Sequence, residues 1–137
     1  MNEEQKSVVP AAKPASEAVK NPKITYGDFA KVEIKAGKIM SAEKIPDTDK
    51  LLKLSVDFSE TAPRQIVSGI AAFFPDPAAL IGRTAMFVTN LEPRNIRGYE
   101  SDGMLFAVST PAGADGTAGV FSLLEPGLGI PPGTRAQ

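Results

Sequence analysis

The chain has 137 residues, 42% of them hydrophobic and 23% charged, with a net charge of −1 from 15 basic and 16 acidic side chains. That length fits one domain with a tail, and the near-neutral balance excludes a strongly basic, histone-like binder while leaving room for a local basic face, which acts within roughly 8–10 Å. Cysteine and histidine are both absent, which removes disulfides, thiolate metal sites, thiol catalysis and the commonest general base and metal ligand.

Residues 1–22 are rich in Ala, Pro, Lys and Glu, and Glu3, Glu4 and Glu17 balance Lys6, Lys13 and Lys20. With three prolines and no aromatic residue there is little to bury, so this stretch reads as a disordered leader or linker. Equal numbers of acids argue against a basic arm that touches nucleic acid. The folded part is expected over 23–110. Asp28 is a plausible cap for one short turn. Val32, Ile34 and Ala36 then alternate with Lys31, Glu33 and Lys35, the period of a strand, and Gly37 is expected to mark a bulge or bend. After turn residues Pro46 to Asp49, Leu52, Leu54, Val56 and Phe58 share one face of a second strand, with Lys53, Ser55 and Asp57 on the other. Residues 64–70 read as a third strand. Asp76, Pro77 and Gly82 carry the start and stop signals of a short helix. Residues 83–91 and 103–110 supply strands four and five. Asp115-Gly116 suits a tight hairpin, and 120–126 a further short strand.

Three strands, a short helix and two more strands form the layout of an all-β OB-fold, a five-stranded Greek-key barrel with its helix between strands three and four, here followed by a C-terminal β extension over 111–137. Another small barrel or sandwich is the competing architecture.

Catalysis has little to stand on. Asp47 and Asp49 lack the distal carboxylate that would complete a metal cage. The glycines of 113–119 lack the strand–loop–helix setting of a phosphate cradle. Ser68 and Ser101 have no histidine or lysine arrangement to activate them. The expected protein is a non-catalytic binding module without cofactor or metal. No run of about 18 apolar residues could span a membrane, and the N-terminus lacks the apolar core of a signal peptide, so the cytoplasm is the expected location.

An OB barrel binds on the face of strands two and three, flanked by the loops between strands one and two and between four and five. Mapped onto this chain, that face collects Lys50 and Lys53 with Asn90, Arg94, Asn95, Arg97, Ser101 and Met104. Cations suit phosphates, and Asn or Ser suit bases and ribose. With few aromatics left outside the core, recognition of a folded RNA by shape is favoured over threading of a single strand. A solvated loop with ordinary surface charges is the plainer alternative.

The segments DFAKVEIKAGKI, PDTDKLLKLSVDF, RQIVSGI and NLEPRNIRGYESDGML, in that order, resemble the tRNA-binding domain appended to methionyl-tRNA synthetases and found also as stand-alone tRNA-binding proteins. The likeness covers about residues 24–125. It implies an OB barrel that binds tRNA by shape, largely without choosing among tRNAs, and aids a synthetase catalytic body in cis or in trans. It also implies a homodimer, with 111–137 as the dimerisation segment, the competing reading being that this segment folds back on its own barrel. Asn90, Leu91 and Pro93 match the family's Asn-Leu-x-Pro, and Ser101, Gly103 and Met104 its Ser-x-Gly-Met, whose Ser and Met belong to the family's RNA-binding surface. Asn95 stands where the family often has Lys, which removes one cation and should flatten the salt dependence by about 0.7–0.9 units. A secretion-chaperone family with the same barrel and dimer is the alternative; it would bind unfolded preproteins instead.

Overall fold

The computed structural model describes residues 21–137. Apart from its last two residues, the leader expected over 1–22 lies outside the described residues. The described residues divide into two compact units, one built from 21–31 with Ser109–Val120 and the other from Val32–Val108 with Phe121–Gln137.

In the first unit, helix α1 (Tyr26–Ala30) starts with a full capping box. The Thr25 hydroxyl accepts from the Asp28 amide at 3.0 Å, and the Asp28 carboxylate accepts from the Thr25 amide at 3.5 Å. Asp28 is therefore the reciprocal partner and Thr25 the cap. In the same unit the Asp115 carboxylate accepts from both the amide and the hydroxyl of Thr117, at 3.1 and 2.8 Å, and so closes the Gly-rich turn.

The second unit is the barrel. Its strands are β1 (Ile34–Lys44), β2 (Leu52–Asp57), β3 (Arg64–Ser68), β4 (Thr84–Val88), β5 (Arg94–Ile96), β6 (Tyr99–Ser101), β7 (Met104–Leu105), β8 (Ala107–Ser109) and β9 (Phe121–Leu123). The antiparallel sheet runs β3-β2-β1-β4-β7. β1 is long enough to pair with β4 through its first half and with β2 through its second. That shared strand curls the sheet towards closure. The seam between β3 and β7 is stitched locally, by the Asp102 amide donating to the Gln65 carbonyl at 2.8 Å. This nearly closed five-stranded barrel is the OB-like architecture anticipated from the sequence.

The apolar faces set by alternation converge inside. Leu52, Leu54 and Val56 of β2 are buried with Ile39, Ile66, Leu80 and Phe87. Phe58 meets Phe87 edge to face, with ring centroids 5.3 Å apart. β1 departs from the expected pattern in an informative way. The register slips between Ile39 and Ser41, so the bulge lies at Met40 and not at Gly37. Gly37 is required for another reason: a Cβ there would lie 2.5 Å from Phe58 Cε1 and 2.6 Å from Val56 Cγ1. Ile39, just before the slip, is buried in the core cluster and Met40, at the slip, is exposed, while Ala36 is buried outside that cluster, where the tail backbone bonds to it.

Between β3 and β4 the expected helix is realised as two 3-10 turns, Ala71–Phe73 and Pro77–Leu80. Asp76 caps the second by accepting from the Ala78 amide at 3.1 Å, with Pro77 at its first position. Leu80 is driven into the core, and so short a turn satisfies that need without further helical length.

The expected fifth strand is interrupted at Phe106. Its amide donates to the Met86 carbonyl, and Leu124 then takes the next place beside β4, with the Met86 amide donating to the Leu124 carbonyl at 2.8 Å. β8 turns away to pair with β9 in a separate two-stranded sheet. Residues 121–137, read from sequence as part of an extension, return to their own barrel. The Ala36 amide donates to Thr134, Gly133 to Ala36 and Ala136 to Ile34. Glu125 pairs with Arg83 at 2.9 Å, and the Ser59 hydroxyl donates to the Pro132 carbonyl at 2.9 Å. The tail thus covers the edge that the first half of β1 would otherwise expose.

Candidate nucleic-acid interface

The segment between β4 and β7 carries most of the residues singled out from sequence, and it is a regular hairpin. β5 and β6 pair as Arg94 with Ser101, Asn95 with Glu100 and Ile96 with Tyr99. Arg97 and Gly98 form the two-residue turn with φ of 55° and 86°, the left-handed pair that matches strand twist in a tight hairpin. Asn-Gly is the usual occupant of such a turn. Here Arg97 holds the strained place, and the Asn95 side-chain oxygen steadies it by accepting from the Gly98 amide at 3.0 Å.

Pairing also fixes which side chains share a face. Arg94, Ile96, Tyr99 and Ser101 share one face; Asn95 and Glu100 share the other. The first face includes Ser101, which is buried, and Ile96 and Tyr99, which are half-buried. Beside it stands Lys53 of β2, whose ammonium lies 5.4 Å from the Tyr99 ring centroid and 3.5 Å from the Glu43 carboxylate. Tyr99 did not figure among the sequence candidates. The signal was there in its register: two residues before Ser101, on the same face of a tight hairpin.

The eight sequence candidates separate into framework and surface. Ser101 is 4% exposed, accepts from the Val67 amide at 3.0 Å and donates to the Gly103 carbonyl at 3.2 Å. Its hydroxyl therefore helps close the barrel seam. Asn90 accepts from the Glu33 amide at 2.8 Å and ties the end of β4 to the approach to β1. Asn95 supports the turn. Met104 is 43% exposed on β7, opposite Val88. Lys50, Arg94 and Arg97 are exposed and, among the described residues, enter no ion pair. Lys53 is shared between Glu43 and Tyr99.

Other cations are committed elsewhere. Arg64 meets Glu60 through both nitrogens at 2.8 and 2.9 Å, reaches the Thr89 carbonyl and lies 3.9 Å from Asp102. The bidentate bond from Arg64 holds the Glu60 carboxyl below its ordinary value. A groove of about 570 Å³ opens here, lined by Glu60, Glu100 and Asp102 against the single cation Arg64. The hairpin thus carries Arg94 on the face opposite Glu100, one of the acids that make the groove net acidic, so a polyanion is repelled on the groove side and met by a cation on the other. Among the described residues no cluster of acidic side chains is arranged to hold a metal ion, and no helix is long and apolar enough to cross a membrane.

Known proteins share this architecture and sequence. A methionine–tRNA ligase of Methanoregula boonei is 47% identical over 118 residues, covering 86% of this chain and 16% of that protein. A methionine–tRNA ligase of Enterococcus faecalis is 45% identical over 96 residues, covering 70% of this chain and 14% of that protein. The chain thus spans only a small part of the length of these relatives. Among solved structures, a protein of Pyrococcus horikoshii described as related to methionyl-tRNA synthetase superposes with a TM-score of 0.71 at 37% identity, covering 85% of this chain and all of that one. The chaperone CsaA of Bacillus anthracis superposes with a TM-score of 0.68 at 25% identity, with the same coverage. Residues 34–135 match the family described as "Putative tRNA binding domain", a span that begins at the first residue of β1 and ends in the tail segment that bridges to it. The chain belongs to that tRNA-binding domain family.

Proposed function

We propose that this chain binds tRNA by its shape and backbone, largely without regard to sequence, as a non-catalytic auxiliary domain or subunit of a methionyl-tRNA synthetase, acting in cis or in trans in the cytoplasm. The observation that carries this reading is the hairpin, with Arg94 and Arg97 exposed and outside any ion pair among the described residues. Lys50 of the β1–β2 loop adds a further uncommitted cation. Guanidinium groups on a rigid two-stranded arm suit phosphates, and each neutralised phosphate releases counterions. Filter binding of bulk tRNA over a salt series tests the reading. The logarithm of affinity should fall linearly with the logarithm of salt. Arg94→Ala with Arg97→Ala should flatten the slope by about 0.7–0.9 units for each phosphate that is no longer neutralised. Absence of salt-sensitive binding at low ionic strength would sink it.

The homodimer belongs to the same reading. The tail's inner side is hydrogen-bonded to its own barrel, so a partner would meet its outer side, where Leu128 and Ile130 keep apolar side chains in solvent. Light scattering on the full chain and on Leu128→Ser with Ile130→Ser decides this: a dimer weakened by the substitutions is expected, and a monomeric full chain overturns it.

A second reading, a chaperone for unfolded preproteins, is favoured by the structural likeness to CsaA. Its mark would be preprotein binding unchanged by the Arg94 and Arg97 substitutions.

A further inference from the structure

We propose that Glu43, Lys53 and Tyr99 form a subsite that reads one unstacked guanine of the bound RNA, an inference that rests on the tRNA-binding reading above. Glu43 and Lys53 are register partners across β1 and β2, so their side chains leave the same outer face of the barrel. Their charged ends are 3.5 Å apart. Lys53 stands at the same time 5.4 Å from the Tyr99 ring centroid, which joins the hairpin to the strand face.

Each member supplies one part of what base recognition needs. Tyr99 offers an aromatic ring for stacking, the interaction by which proteins hold splayed bases. Lys53 offers a donor. Glu43 offers two acceptor oxygens and is 64% exposed at its side chain. An exposed ion pair of this kind adds little to stability, and a carboxylate beside a phosphate-binding surface is repulsive unless it meets donors. Guanine is the base whose Watson–Crick edge sets two donor nitrogens, N1–H and the N2 amine, beside an acceptor, O6. A carboxylate accepts from the two donors together while an ammonium donates to the neighbouring oxygen. Adenine, cytosine and uracil each set only one donor nitrogen on that edge, so the second carboxylate oxygen would lack a partner.

Fluorescence anisotropy with labelled RNA hairpins tests this on the full chain. The probes share one stem and have uracil loops that carry guanine, inosine or no purine; inosine differs from guanine in lacking the N2 amine. The guanine loop is expected to bind about tenfold more tightly than the inosine loop, in line with bidentate base contacts. Glu43→Gln should abolish that preference while tightening binding of the all-uracil probe, because a negative charge has gone. Tyr99→Leu should weaken the purine loops several-fold at an unchanged salt slope. Thermal melts of both variants at the wild-type midpoint show that folding is intact. Equal binding of guanine and inosine loops by the wild type, or a preference that survives Glu43→Gln, overturns the subsite. Salt-dependent binding without base preference defeats this inference and leaves shape recognition standing, whereas no binding of any RNA defeats both.

Discussion

Ser101→Ala separates a framework role from a contact role at the position that the family pattern assigns to RNA. The hydroxyl is buried and joins β3 to the turn before β7, accepting from the Val67 amide at 3.0 Å and donating to the Gly103 carbonyl at 3.2 Å. Alanine keeps the volume nearly constant but leaves the Val67 N–H without its acceptor. Val67 is 6% exposed, so the full cost of an unsatisfied buried amide applies, about 1–3 kcal/mol. The Gly103 carbonyl is half-buried and can turn to water, so it adds less. A loss of about 2 kcal/mol follows, which lowers the midpoint by about 8 °C for a domain of this size. Urea unfolding followed by circular dichroism measures the first quantity and a thermal scan the second. If the framework role is correct, tRNA affinity measured well below the midpoint keeps its salt slope, and any loss of binding tracks the unfolded fraction. A variant that retains wild-type stability yet loses affinity would refute the reasoning and return Ser101 to the interface.

Gly37→Ala should cost about 1–3 kcal/mol in urea unfolding, because the new methyl would overlap Phe58 and Val56 and the core must shift to admit it; a neutral substitution would show that the barrel wall yields easily there. Stability should fall on acidification below about pH 4.5, the ordinary carboxylate value, because Glu33, Glu60 and Glu125 are all held below it in the folded chain. The bonds from Thr89, Arg64 and Arg83, in that order, are the leading causes. The folded state then binds fewer protons than the unfolded state between the two pKa values, so its advantage is complete above that pH and lost as pH falls through the folded values. Glu60→Gln should reduce the slope of stability against pH in that window, and an unchanged slope counts against the assignment. Deleting 131–137 should expose the edge of β1 and lower the midpoint, read by the same thermal scan, because backbone bonds to Ala36 and Ile34 go with it.

The strands were legible because half-burial imposes a period of two, and β2 shows it without interruption from Leu52 to Phe58. What escaped was whatever depends on two distant segments at once. Gly37 reads as a bend from its neighbours alone, and its close approach to Phe58 appears only when β1 lies across β2. The break at Phe106 depends on Leu124 arriving beside Met86, which no local pattern announces. Asn90 and Ser101 read as polar loop residues, and their hydrogen bonds to Glu33 and Val67 span 57 and 34 positions. Charge is subject to the same limit. The sequence marks Arg94 as a candidate from its loop and does not mark Arg64, but only packing reveals that Glu60 and Asp102 occupy Arg64.

Asn95 brings these considerations to one residue. As the position where the family often carries Lys, it reads from sequence as a missing phosphate partner. Its side chain instead supports the Arg97–Gly98 turn through the Gly98 amide, and its cross-strand partner is Glu100. It therefore leaves the hairpin on the face opposite Arg94 and Tyr99, beside the groove that Glu60, Glu100 and Asp102 make acidic. Asn95→Lys would place its ammonium next to Glu100 and remove the oxygen that steadies a left-handed arginine. Removing that hydrogen bond costs about 0.5–1.5 kcal/mol, concentrated in the arm that carries Arg94 and Arg97. The salt slope for tRNA should consequently rise by less than the roughly 0.7–0.9 units of one fully neutralised phosphate, while the arm loosens, detectable as faster amide exchange at Gly98 and Tyr99. A slope that rises by the full amount with exchange unchanged would mean that RNA reaches both faces of the hairpin, and the division between cationic surface and acidic groove would have to be abandoned.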